Sequence, residues 1–161
     1  MDTKQKVKGY TKPKLNFSST ITPVKVDPAR VGVIRRGPGE KWMPNKLCVP
    51  GGKTEEVDRI VIEGMPYYVG ELGAVRELEE ETGIKVSRHS LKFFCTLLIP
   101  DYNRPVISFY SIVREDTKSS EVLWLTNNEI LLTPDKEFAP GMKNELLLLL
   151  EHLRTSGVSY L

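Results

Sequence analysis

The chain has 161 residues, of which 40% are hydrophobic and 27% are charged, and its formal net charge is +2. This length and composition predict one globular domain with a proper hydrophobic core. So small a net charge excludes a global electrostatic signature for nucleic-acid or membrane-surface binding. No apolar run is long enough to span a membrane, and the N-terminus lacks the apolar core of a signal peptide. We therefore expect a cytoplasmic protein.

Residues 1–18 carry five lysines and few apolar side chains. We expect this segment to be mobile or loosely laid on the surface, with a phosphate or RNA contact as the alternative. Residues 19–161 are predicted to form the single domain. Within it, runs of β-branched and aromatic residues predict strands, and segments 60–62 and 67–69 predict a hairpin. The predicted strands are 21–26, 31–35, 46–49, 91–100, 106–114 and 122–125.

Three segments are predicted to be helical. The first is residues 69–82, with Gly83 suited to a C-terminal cap; the second is a short helix at 127–132; the third, at 141–154, has a leucine-rich run that packs on the core. The two cysteines, Cys48 and Cys95, lie in strand-like apolar runs. They are predicted to be reduced core residues rather than a disulfide or a metal site.

The first predicted helix carries four glutamates within residues 76–81. Residues three and four apart share a helix face, so Glu77, Glu80 and Glu81 project together, although like charges at that spacing disfavour a helix by roughly 0.2–0.5 kcal/mol per pair. A cation among the carboxylates would relieve the repulsion, and oxygen ligands select Mg²⁺, Mn²⁺ or Ca²⁺. The alternative is a solvated acidic face. An apolar stripe on another arc of the same helix, predicted to be buried, contains Leu72, Val75 and Leu78.

A strand-like run before this helix ends in Val49-Pro50-Gly51-Gly52-Lys53. A Gly-Gly-Lys loop followed by a helix with Arg-Glu-Leu-x-Glu-Glu-x-Gly-Ile closely resembles the signature of the Nudix (MutT-like) hydrolases. That signature is glycine, five residues, glutamate, seven residues, then Arg-Glu-apolar-x-Glu-Glu-x-Gly-apolar. Its second half matches at every defined position, and the resemblance covers residues 30–133.

The spacing departs from the family pattern in one place. Arg76 lies twenty-four steps after Gly52, where the family has fourteen, so ten residues are extra. Counted back from the arginine, the family's first glutamate falls on Tyr68. We expect the enlarged loop, residues 54–68, to form a projecting loop or hairpin beside the site that shapes its pocket, with a tolerated surface excursion as the alternative. The candidates to replace the displaced glutamate are Glu55, Glu56 and Glu63.

The resemblance implies an α/β fold, the Nudix α/β/α sandwich with a mixed sheet, and an enzyme that uses Mg²⁺ or Mn²⁺. It implies that Glu80 and Glu81 are the main metal ligands and that Glu77 is a further ligand or the general base. The backbone carbonyl of Gly51 is expected to add a metal ligand. Arg76 is expected to orient a glutamate through a charge-assisted hydrogen bond.

Other residues are candidates for the same site. Glu121 ranks first for an additional acidic metal ligand from a later loop, ahead of Glu115 and Asp116. Candidates for contacts with substrate phosphates are Arg35, Arg36, Lys41 and Lys53. Candidates for stacking on a base, with core packing as the alternative, are Trp42, Tyr67, Tyr68 and Phe138.

The predicted reaction is hydrolysis of the pyrophosphate bond in a nucleoside diphosphate linked to another group X. ADP-ribose or a nucleotide sugar is the first choice for the substrate. Hydrolysis of nucleoside triphosphates or of RNA 5′ ends is the alternative, followed by a Nudix domain that binds a nucleotide without hydrolysis. The predicted partner is a nucleotide substrate; RNA is not indicated, and the oligomeric state, including a homodimer, is open.

Overall fold

A computed structural model describes residues 15–100 and 102–157. Most of the basic N-terminal segment, residues 1–14, lies outside the described residues, so its expected mobility and the domain boundary stay predictions. Ser18 is already the first residue of the first strand and is buried.

The described residues form nine strands and three α-helices, in an order close to that predicted. The strands are β1 (Ser18–Val26), β2 (Ala29–Arg35), β3 (Leu47–Cys48), β4 (Gly51–Lys53), β5 (Arg59–Ile62), β6 (Met65–Tyr68), β7 (Lys92–Leu97), β8 (Val106–Ile112) and β9 (Leu123–Leu125). The helices are α1 (Gly70–Thr82), α2 (Asn127–Leu132) and α3 (Met142–Thr155), with one-turn 3-10 helices at Arg88–Ser90 and Asp135–Glu137.

Seven of the strands form one mixed sheet in the order β3-β2-β1-β8-β7. β1 and β8 are parallel, and the other pairs are antiparallel. The same edge of β1 borders β4 along its N-terminal part and β2 along its C-terminal part, and β9 pairs with β2. The strand predicted at 46–49 is observed as the shorter β3. The Gly-Gly-Lys segment after it, which was predicted to be a loop, forms β4 and lies against the centre of the sheet.

Alternation along β1 sends successive side chains to opposite faces of the sheet. Ile21 packs with Leu78 of α1 on one face, and Val24 packs with Leu146 of α3 on the other. Helix α2 lies on the same face as α3, since Ile130 joins the same cluster. The predicted α/β/α sandwich with a mixed sheet is confirmed.

Helix α1 ends at Gly83, whose φ of 76° is the left-handed conformation that glycine adopts most easily. Its buried residues are Gly73, Ala74, Leu78 and Thr82. Of the predicted apolar stripe only Leu78 is buried, because the small residues Gly73 and Ala74 let the helix lie close to β1, whereas Leu72 and Val75 are half-buried at its sides.

The ten extra residues form the hairpin of β5 and β6, which pair only with each other. Most of its side chains are exposed, including Val61 and Met65. Cys48 and Cys95 are both free thiols, as predicted, and burial raises the pKa of each to about 11. Within the described part of the chain, no helix has the length and apolar character needed to cross a bilayer.

Candidate active site

Strand β4 and helix α1 meet at the two glycines. Gly51 pairs with Thr20 of β1, and Gly52 pairs with Ser19. A Cβ atom on Gly52 would lie 2.3 Å from Oε1 of Glu77, and one on Gly51 would lie 2.6 Å from the carbonyl oxygen of Ser19. The contact at Gly51 is with backbone, so only glycine fits there, whereas at Gly52 the flexible end of the Glu77 side chain would have to move. The two glycines therefore let β4 lie close to β1 and to Glu77 of α1.

Asp58 lies beside Arg76, in the place for which the sequence analysis named three glutamates as candidates. Nε of Arg76 donates to Oδ1 of Asp58, and NH2 donates to Oδ2, both at 2.9 Å. The backbone N–H of Glu55 donates to Oδ2 as well, at 2.8 Å. Asp58 is only 2% exposed. Of the three candidates, Glu55 lies 3.7 Å from Arg76 in an exposed pair, whereas Glu56 pairs with Arg59 and Tyr68.

The sequence contained a signal for Asp58 that counting back from the arginine missed. Asp58 lies six residues after Gly52, which is where the family's glutamate falls when the pattern is counted forward from the glycine. The ten extra residues therefore come after the acidic position rather than before it. Aspartate supplies the same carboxylate on a shorter side chain, and the two-point contact with the guanidinium is retained.

Arg76 connects this acid to the glutamate cluster. Its NH1 donates to Oε1 of Glu77 at 2.9 Å and to Oε2 of Glu80 at 3.3 Å. Its NH2 also donates to the carbonyl oxygen of Lys53 at 3.2 Å. Hydrogen bonding to Asp58, with a smaller contribution from Glu77, raises the pKa of Arg76 further above its ordinary value. Arg76 thus contacts both Asp58 and Glu77, and its expected role in orienting a glutamate stays a prediction.

The two glutamates nearest the glycines are poorly solvated. Burial raises the pKa of Glu77 above its ordinary value, against the lowering effect of Arg76. Burial and then the charge of Glu77 raise the pKa of Glu81 to about 7, although a hydrogen bond with the backbone of Gly51 opposes the shift. Oε2 of Glu81 is buried and has no hydrogen-bond partner. An unsatisfied buried carboxylate oxygen is costly, so it marks a position for a ligand.

The other two glutamates point outward. Glu80 is 60% exposed in its pair with Arg76, and Glu79 pairs with Lys85 at 3.5 Å on the surface. Within residues 15–100 and 102–157, no three acidic, cysteine or histidine side chains are already grouped as metal ligands. Coordination by Glu80 together with Glu81 would therefore need rotation of the exposed Glu80 side chain.

A cavity of about 640 Å³ opens beside these groups and is lined by Gly51, Gly52, Lys53 and Glu81. Arg36 also lines it, with its guanidinium 5.2 Å from the centre of the Trp42 ring. Arg35 does not line it, because neighbouring strand residues point to opposite sides; it pairs with Glu137 instead.

Several other predicted residues lie away from this cavity. Glu121 is exposed and does not line it. Of the aromatic candidates, Trp42 lines the cavity, whereas Phe138 is a core residue at 4% exposure. No residue of the β5–β6 hairpin lines the cavity, Tyr67 and Tyr68 included. The cavity wall therefore gives no support to the expectation that the enlarged loop shapes the pocket. Sequence reasoning also missed two cavity-lining residues, Tyr102 and Glu145.

Solved structures with this arrangement of strands and helices identify the fold. A MutT/nudix family protein from Enterococcus faecalis superposes with a TM-score of 0.66 at 14% identity, over 91% of this chain and 64% of that one. The NUDIX domain of Shewanella oneidensis NrtR, in complex with ADP ribose, gives 0.65 at 15% identity, over 97% and 99%. The MutT protein from Methanosarcina mazei Go1 gives 0.62 at 18% identity, over 90% and 99%.

The chain has the Nudix fold. It spans just under two thirds of the Enterococcus faecalis protein and nearly all of the other two chains. No protein-family sequence model matches the chain, and no curated protein sequence matches it either. Within the Nudix fold, the described strand–loop–helix places the Gly-Gly-Lys segment against the acidic helix, and the ten-residue insertion leaves this contact intact.

Proposed function

We propose that the protein is a Nudix hydrolase that cleaves the pyrophosphate bond of a nucleoside diphosphate linked to another group X, in a reaction that depends on Mg²⁺ or Mn²⁺. The observation that carries this proposal is the buried, unpartnered Oε2 of Glu81 at the end of a cavity lined by the Gly-Gly-Lys segment. In an acidic helix that binds no ligand, the carboxylate oxygens are hydrogen-bonded to water or form ion pairs, so a buried oxygen without a partner is not expected.

The residues present fit a divalent cation. Glu81 offers an oxygen without a partner, Glu77 lies against Gly52, and carboxylate oxygens suit Mg²⁺ and Mn²⁺. The residues that would hold the ion are Glu77, Glu80 and Glu81 with the backbone carbonyl of Gly51. When bound, the ion would neutralise phosphate charge and acidify a water molecule.

The protein's own residues then have distinct roles. Glu77 is the proposed further metal ligand or the general base, because it lies beside Gly52 and accepts a hydrogen bond from Arg76. Arg76, anchored by Asp58, fixes the orientation of Glu77. Arg36 and Lys53 line the cavity and are placed to contact substrate phosphates.

ADP-ribose or a nucleotide sugar is the proposed substrate class. The cavity has the size of a small-molecule site and has apolar walls and an aromatic residue beside the phosphate end. The NUDIX domain of NrtR, which has a similar fold, is complexed with ADP ribose in its structure. Residence in the cytoplasm stays a prediction.

The test is a product-resolved screen of the full chain with Mg²⁺ and with Mn²⁺. The substrates are ADP-ribose, UDP-glucose, nucleoside triphosphates, a dinucleoside polyphosphate and a capped RNA. We expect metal-dependent release of AMP and ribose 5-phosphate from ADP-ribose. Glu81→Gln should abolish it, whereas the matched surface variant Glu79→Gln should not.

Each other outcome changes the assignment. Pyrophosphate release from triphosphates alone would make the protein a nucleoside triphosphate pyrophosphatase. Decapping alone would assign RNA 5′ ends as the substrate. Nucleotide binding with no metal-dependent product from any substrate would refute the proposed enzyme and leave a nucleotide-binding Nudix domain.

A further inference from the structure

A second carboxylate lines the cavity and has no role in the proposed chemistry. Glu145 lies in the first turn of α3 and is 6% exposed, yet it belongs to the cavity wall. Oγ of Ser108, on β8, donates a hydrogen bond to its Oε1 at 2.5 Å. Among the described residues, no other hydrogen bond or ion pair involves the Glu145 side chain.

This environment is unfavourable for a carboxylate without a ligand. Burial raises the pKa of Glu145, and the hydrogen bond from Ser108 offsets only part of the shift. A buried carboxylate can accept about four hydrogen bonds, two at each oxygen, and this one receives a single bond from the protein. Glutamate in such a position costs stability relative to an apolar residue, so a packing role does not explain it.

The sheet register places Ser108, the hydrogen-bond partner of Glu145, at a defined distance from the phosphate end. Gly51 pairs with Thr20, and Thr20 pairs with Ser108, so the three residues form a row across neighbouring strands. Paired residues point to the same face, and two strand spacings amount to about 10 Å. A single nucleoside can span this separation, with its phosphates at Gly51 and its base at Glu145.

The walls between the two ends suit a planar ring. Trp42 and Tyr102 lie with ring centres 5.4 Å apart at the rim, and the Tyr102 hydroxyl is fixed by Ser18 at 2.9 Å. The buried lining includes the apolar residues Val49, Val106 and Met142 and the hydroxyl of Thr20. The aromatic rings and apolar walls suit the two faces of a nucleobase. The acceptor group at the end of the cavity suits the amino edge of the base.

We propose that Glu145 is a specificity-determining residue that accepts a hydrogen bond from the exocyclic amino group of the substrate's nucleobase. It therefore selects adenine over hypoxanthine, which presents a carbonyl oxygen at the same position. The inference deepens the proposed function and rests on it for the position of the phosphates.

The first experiment needs no variant and no hydrolysis. Binding of AMP and of IMP to the full-length protein is measured by calorimetry without added metal. A site built around a hydrogen-bond acceptor leaves two oxygens facing each other when the amino group is replaced by a carbonyl, so AMP should bind about 10- to 100-fold more tightly than IMP. Equal affinities would overturn the proposal.

The second experiment uses Glu145→Gln with Glu151→Gln as the matched control. Glu151 is on the same helix, is 55% exposed and pairs with Arg154 away from the cavity. A glutamine amide both accepts and donates, so Glu145→Gln should reduce the AMP/IMP preference to less than about threefold. Glu151→Gln should retain the wild-type preference. If both variants retain the AMP/IMP preference, residues other than Glu145 select the base.

Kinetics separate this inference from the proposed function. If ADP-ribose is hydrolysed, Glu145→Gln should change the ratio of kcat/KM between ADP-ribose and its hypoxanthine analogue while the metal requirement stays the same. A protein that hydrolyses nothing but still prefers AMP through Glu145 would refute the enzyme and keep the base site. Hydrolysis with no effect of Glu145→Gln on that ratio would keep the enzyme and refute the base site.

Discussion

Replacing Asp58 with asparagine should destabilise the protein far more than the same change at a surface ion pair. Asp58 is 2% exposed and receives two hydrogen bonds from Arg76, each at 2.9 Å. Arg76 is itself only 16% exposed. Asparagine keeps the size of the side chain, but it replaces one acceptor oxygen by an amino group that faces the guanidinium.

The magnitude can be worked out from this burial. A hydrogen bond to a charged group contributes about 1.5–3 kcal/mol, and breaking a buried pair costs about 3–5 kcal/mol because the remaining charge loses its partner. Arg76 retains Glu77 as a partner, so we expect Asp58→Asn to lower the free energy of unfolding by about 2–3 kcal/mol. In a protein of this size that corresponds to a Tm lower by about 5–10 °C.

The effect should depend on pH in one direction. Burial raises the pKa of Asp58, but hydrogen bonds from Arg76 and from the Glu55 backbone lower it more, so its pKa lies below the ordinary value. A carboxylate whose pKa is depressed by folding stabilises the protein above its unfolded pKa of about 3.9. That stabilisation is lost as the pH falls through the folded value. The difference between wild type and Asp58→Asn should be constant near neutral pH and shrink below about pH 4.

Asp116→Asn is the matched control, and urea denaturation is the assay. Asp116 accepts from Nε and NH2 of Arg114 at 3.1 and 2.9 Å, the same two-point contact, but it is 69% exposed. An exposed pair contributes about 0–1 kcal/mol. Equal losses in the two variants, or a loss below about 1 kcal/mol at Asp58, would refute the reasoning from burial.

Three further predictions concern activity. Glu81→Gln should lower the rate at least about 10²-fold with the fold intact, because it removes a charged metal ligand, whereas Glu79→Gln should be mild; comparable losses would contradict the assignment of the helix faces. Trp42→Ala should raise KM about tenfold with little change in kcat, and an unchanged KM would remove Trp42 from the substrate site. Replacing residues 60–67 with a short Gly/Ser turn should leave the ranking of nucleotide substrates unchanged, since the hairpin does not line the cavity; an altered ranking would restore its pocket role.

The sequence predicted the main elements because they rest on local patterns. The short helix at 127–132 was predicted with the bounds that the structure has, and its capping box of Thr126 and Glu129 explains the agreement. The Gly-Gly-Lys segment was predicted to be a loop, because its glycines carry no local strand signal. Gly51–Lys53 becomes a strand only because it pairs with β1, which is distant in sequence.

The candidate site was predicted in its residue types but not in its side-chain directions. Glu77 and Glu81 are close to the glycines, as the helix spacing implied. Glu80 turns to Arg76, and Arg35 turns to Glu137, because ion pairs formed by folding decide these rotamers. Glu145 had no sequence signal, since its importance depends on a strand, a helix and a cavity that meet only in three dimensions.

Asp58 shows why sequence spacing did not locate the acidic partner of Arg76, although the expected residue type, an acidic side chain, was correct. A hairpin returns the chain to where it started, so ten residues can be added after Asp58 without displacing α1. The backbone N–H of Val69 donates to the carbonyl oxygen of Asp58 at 3.0 Å, which closes the base of the hairpin one residue before α1 begins. Asp58 therefore reaches Arg76 across eighteen residues of sequence. The residue spacing of the signature is therefore kept on each side of the insertion but not across it. A buried arginine still requires an acidic partner, whatever its distance along the sequence.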